Sequence, residues 1–184
     1  MSIPVGLLRR WGNTTGKRGK KMSYTEQLTA TISVDRTPDE IFAAITDVRK
    51  WWSENIIGDT VALHDEFVFT DDSKYAGETA KEEKEGIRFS RFDITEVVPG
   101  ERVVWHVVDS YLTFVADRHE WTDTDVVFDI TATPEGATLR FTHEGLNSAE
   151  SECFEACSRG WKFYIETSLR QLITTGTGQP FAKY

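Results

Sequence analysis

The sequence of 184 residues is poor in cysteine, methionine, histidine and proline, with two, two, four and five of each. Its two thiols, Cys153 and Cys157, stand four apart on an expected helix, where side chains at that spacing are neighbours. Two thiols on one helix make no disulfide framework and lack the further ligands of a closed zinc site. They read as small apolar groups in a reducing, cytoplasmic setting. No apolar run reaches the length of a signal peptide or a membrane span, so no stable membrane insertion is expected. The histidines show no His-Glu-x-x-His spacing, Thr167 and Ser168 lack a nucleophile elbow, and "TTGTGQP" lacks the lysine and preceding strand of a phosphate loop. No metal, cofactor or catalytic constellation is therefore expected.

Positive charge is scarce over most of the chain. The whole sequence carries −9, yet residues 1–21 hold six cations and no acid, so residues 22–184 carry −15. A body this acidic repels phosphate backbones, and nucleic acid is not expected as a partner. The segment 1–22, rich in glycine, lysine and arginine and without periodicity, reads as a disordered basic tail ahead of one domain at 23–180. A basic arm reaching a membrane surface or an acidic partner is the functional alternative for it.

What is present is aromatic: six Trp, five Tyr and eleven Phe, the content of a packed interior or a ring-lined pocket. "TEQLTATISV" alternates as a half-buried strand. Thr37, Pro38 and Glu40 then form a capping box with proline at the first helical position, and Asp47 divides the helical stretch before Trp51 and Trp52. "TVALHDEFVFT" reads as one or two strands, and the charged stretch at 71–86 as a solvated loop. Two hairpins follow, turning at Pro99-Gly100 and at Pro134-Glu135-Gly136.

The chain then commits to one long helix, from about Ser148 to Thr174, with Glu150, Glu152 and Glu155 early, Lys162 and Arg170 late, and Gly176 as its stop. At about 1.5 Å per residue it spans roughly 40 Å, enough to cross a sheet. The element order is that of an α+β fold with helices gathered on one sheet face. Strand alternation puts His143 on the face of Leu139 and Phe141, toward that helix. There it either bonds a ligand or acts as a general acid or base, or is satisfied by a polar neighbour. The direction of His106 is left open, and Asp129 and Glu144 fall on the outer face as solvated carboxylates.

The segments "TPDEIFAAITDVRKWWSENI", "FTHEGL" and "GWKFYIETSLRQLI" resemble the helix-grip superfamily of START lipid-transfer domains, the birch-pollen allergen and polyketide cyclases. Within it they are most similar to bacterial single-domain proteins named for the activator of heat-shock protein 90 ATPase. The resemblance covers roughly residues 23–180. It implies a curved antiparallel sheet of about six strands gripping the C-terminal helix around an apolar cavity. Trp52, Phe92, Trp105, Phe128, Phe141, His143, Phe154, Trp161, Tyr164 and Ile165 are the residues expected to line it. The leading expectation is non-catalytic binding of a small hydrophobic molecule such as a lipid, by a monomer or homodimer. A chaperone-interacting ATPase activator with a role in the stress response is the first alternative. A cyclase- or dehydratase-like enzyme using His143 and Tyr164 is the second.

Overall fold

A computed structural model describes residues 25–70 and 87–181. The expected basic tail at 1–22 and the expected solvated loop at 71–86 lie outside the described residues. Seven antiparallel strands form one sheet: β1 Gln27–Val34, β2 Ile56–Gly58, β3 Glu66–Phe69, β4 Ile87–Val98, β5 Arg102–Leu112, β6 Asp125–Thr133 and β7 Gly136–Asn147. Their order is β1-β7-β6-β5-β4-β3-β2, so the first two strands of the chain form opposite edges. The helices α1 (Pro38–Thr46) and α2 (Val48–Trp51) carry the chain across the gap between those edges.

Local chemistry fixes that crossing. Thr37 Oγ1 accepts the Glu40 N–H and the Glu40 carboxylate accepts the Thr37 N–H, the reciprocal box the sequence predicts. Asp47 ends α1 with φ −87° and ψ 59°, and α2 leads directly into the paired indoles of Trp51 and Trp52. Of the stretch expected as one or two strands, only β3 is extended. Residues 60–65 turn instead, with Val61 and Ala62 donating their N–H groups to the Asp65 carboxylate. A short polar side chain offers the backbone partners that a ladder would otherwise supply.

The closing helix begins at Phe154, six residues later than expected, because 148–153 turn around the Asn147 and Ser151 side chains. Glu150 and Glu152 therefore precede the helix, and Glu155 alone is acidic in its first turn. The run is α3 (Phe154–Lys162), a π-helical segment (Phe163–Leu169) and α4 (Arg170–Thr175), stopped by Gly176 at φ 84° as expected. The wider π turn brings Ser168 inward, where its hydroxyl donates to the Trp51 carbonyl at 2.6 Å and accepts the Gln179 N–H at 2.7 Å.

Residues 176–181 return along the helix as a strap. The Phe181 N–H bonds the Trp52 carbonyl and the Glu54 N–H bonds the Phe181 carbonyl, extending a bridge between Ser53 and Phe181. Gly178 is required there, since a Cβ would sit 2.3 Å from the Lys50 carbonyl oxygen. The fold is thus α+β and helix-grip, with its core between the sheet's inner face and the closing helix. No helix among the described residues is long and apolar enough to cross a membrane.

Candidate functional site

Alternation aims one residue in two of each long strand at the helix. Phe92 and Ile94 on β4, Trp105 on β5, Phe128 on β6, and Phe141 and His143 on β7 all point inward and are fully buried. Register brings them together: Ile94 faces Trp105, and Phe128 faces Phe141. Trp52 enters from the α2 corner, stacking on Phe69 at 4.5 Å and meeting Trp161 of α3 at 4.9 Å. Trp161 in turn meets Phe141 at 4.7 Å, and Trp105 meets Phe128 at 4.7 Å. Of the ten residues expected at the site, seven therefore lie in one buried apolar cluster, Ile165 among them, and His143 is buried against its Trp161. Tyr164 and Phe154 are only half-buried and pack against its rim. Phe154 also lines an open groove of about 620 Å³ between β1 and α3, with Arg140 and Lys162 beside it. Burial raises the Tyr164 hydroxyl above the ordinary phenol range.

His143 is held at both nitrogens. The Trp161 indole N–H donates to Nδ1 at 3.1 Å, and Thr124 Oγ1 lies 2.9 Å from Nε2. An indole can only donate, so Nδ1 is unprotonated and Nε2 carries the hydrogen of a neutral ring. Nε2–H then donates to Thr124, whose hydroxyl donates to the Trp121 carbonyl, where the chain of donors stops. Burial pushes the His143 pKa down to about 3. Gly145 makes room for this arrangement, because a Cβ there would meet the Thr124 methyl at 2.7 Å. Sequence periodicity placed His143 but not Thr124, which lies in the turn before β6 and carries no local signal of its role.

Among the described residues, two further donors on the buried face have no acceptor: Trp105 Nε1 and Ser90 Oγ. Ser90 sits opposite Ser110, also fully buried, whose hydroxyl bonds Thr122. This hydroxyl pair carries no signal in the sequence, since serine in a strand usually marks the wet face. Beyond them, Trp121 Nε1 donates to Cys153 Sγ at 3.4 Å. The hydrogen bond with Cys157, helped by burial, drives the Cys153 thiol well above the ordinary range, so Cys153 is an unreactive packing group. The remaining histidines lie outside the cluster. His106 points to the outer face, with Nδ1 2.9 Å from Asp125, and Asp129 there is ion-paired with Arg102 rather than simply solvated. Among the described residues, no group of three or more His, Cys, Asp or Glu side chains is arranged to hold a metal.

Comparison with solved structures returns the same architecture. The Aha1 dimer from Colwellia psychrerythraea is 19% identical at a TM-score of 0.60, the match covering 83% of this chain and 99% of that one. Protein MLL2253 from Mesorhizobium loti is 17% identical at a TM-score of 0.56, covering 85% of this chain and all of its own. DynU16, from the dynemicin biosynthetic locus, is 17% identical at a TM-score of 0.54, covering 82% of this chain and 48% of its own. No curated protein matches the sequence. The profile described as "Activator of Hsp90 ATPase homolog 1-like protein" matches residues 35–174, which is most of the chain, and the chain belongs to that family.

Proposed function

We propose that the chain binds a small apolar ligand between the sheet and the closing helix, without catalysing a reaction on it. The observation that carries this reading is the pair of orphaned donors, Trp105 Nε1 and Ser90 Oγ, in an otherwise ring-lined wall. A buried donor without an acceptor is costly, and a ligand carbonyl or hydroxyl would relieve that cost. The rings touch one another, so a ligand must part Trp52 from Trp161, whose centroids lie 4.9 Å apart. His143 supports a non-catalytic role, since both its nitrogens are engaged and it is neutral above about pH 3. The same engagement of His143 weighs against the cyclase-like alternative.

Native mass spectrometry of freshly purified protein, with fluorescence titration by the neutral dye N-phenylnaphthylamine, tests the reading. A co-purifying small molecule, or saturable dye uptake weakened by Trp105→Phe, is expected. A protein that carries nothing and takes up no dye would remove it.

The family supports a second reading, stimulation of a chaperone ATPase. It predicts faster ATP turnover by heat-shock protein 90 in the presence of this chain, and an unchanged rate at saturation would count against it. The Colwellia relative is a dimer, which supports homodimerisation here and is checked by sedimentation equilibrium.

A further inference from the structure

Three aliphatic side chains stand in water on β2 and the connection that follows it. Ile57, Val61 and Leu63 are 53%, 59% and 51% exposed. One such residue is ordinary on any surface. Three on a segment pinned at every step are not. Arg49 bonds the Ile56 and Gly58 carbonyls, the Thr60 hydroxyl bonds the Thr46 carbonyl at 2.8 Å, and Asp65 takes the Val61 and Ala62 N–H groups. The His64 N–H reaches the Ile94 carbonyl, and His64 itself holds φ 66°, a left-handed conformation that costs any residue with a Cβ. The backbone is thus fixed in a strained form that leaves Val61 and Leu63 outside.

The fixed charges of the sequence at this knuckle have one sign. Residues 51–73 contain no Lys or Arg, and Glu54, Asp59, Asp65 and Glu66 surround the aliphatic trio in sequence. Glu66 also pairs across the sheet with Asp93, placing like charges opposite one another. Arg49 is engaged with the two carbonyls, and Arg91 lies further along, opposite Val68.

We infer that this acid-rimmed knuckle is a docking site for a protein surface that offers an apolar notch flanked by Lys or Arg. Rigidity lowers the ordering cost of binding, and the carboxylates supply steering and register. A second copy of the chain fits less well, because a two-fold contact would set the same carboxylates against themselves. The inference does not depend on the ligand reading.

The probe is a synthetic amphipathic helix with a leucine face flanked by lysines, compared with the same peptide carrying serine for leucine. Isotope-labelled full-length protein is titrated with each at about 0.15 M salt. The leucine peptide is expected to bind with amide shifts centred on residues 57–66. The triple variant Ile57→Ser, Val61→Ser, Leu63→Ser should bind it at least roughly tenfold more weakly at an unchanged melting temperature. Asp59→Asn with Glu66→Gln should weaken binding and flatten its salt dependence. Equal binding by the triple variant, equal binding of the serine peptide, or shifts centred elsewhere would overturn the inference. So would self-association in sedimentation that the triple variant abolishes.

Discussion

His143 is where one residue reports on the whole molecule. Its pKa falls from 6.5 to about 3 on folding, so the unfolded chain binds a proton that the native state refuses. The stabilisation is complete above pH 6.5 and is lost as pH falls toward about 3, amounting to roughly 4–5 kcal/mol at its full extent. Glutamine can accept from Trp161 and donate to Thr124 without titrating. We expect His143→Gln to flatten the stability curve between pH 6 and pH 4 relative to wild type, as followed by urea denaturation. Parallel curves would show that the ring is not held neutral. Ser168 offers a second test at this scale. Ser168→Ala leaves the Trp51 carbonyl and the Gln179 N–H without their partner, at a cost of about 1–3 kcal/mol. Amide exchange at Gln179 should rise in the same variant, and unaltered stability would mean that the strap is not held through this hydroxyl.

Among the elements, β2 is an edge strand of three residues whose outward carbonyls are covered by one arginine. Bare edges invite pairing with another chain. Arg49→Ala should therefore produce concentration-dependent association visible by light scattering, with faster amide exchange at residues 56–58. Dispersity equal to wild type would show that the edge is protected otherwise. The legibility of elements followed the range of the forces that form them. The capping box of α1, the hairpins and the Gly176 stop rest on contacts within a few residues, and periodicity and turn chemistry reveal them. The turn at 60–65, the late start at Phe154 and the π segment depend on partners far along the chain, such as Ile94 for the His64 N–H and Trp51 for Ser168. Composition alone carries no trace of these. The inward-facing rings were readable for the same reason as the strands, whereas Thr124 and Ser90 became partners or orphans only through packing.

The whole molecule carries −9, with −15 over residues 22–184, so the compact state works against its own repulsion. Raising potassium chloride from about 0.01 M to about 0.15 M shortens the screening length from roughly 30 Å to 8 Å. We expect the melting temperature to rise over that range in calorimetry, and a fall would mean that local ion pairs such as Arg102 with Glu96 and Asp129 outweigh the global term. The helix that covers the ring-bearing face follows all seven strands in the sequence. During synthesis the part of that face not covered by α1 and α2 stays bare until the closing helix has left the ribosome, because earlier parts of a chain emerge first. A nascent chain of this design therefore carries an oily wall turned toward solvent or chaperones until its closing helix is made, and products stalled or truncated before that helix should be its most aggregation-prone forms.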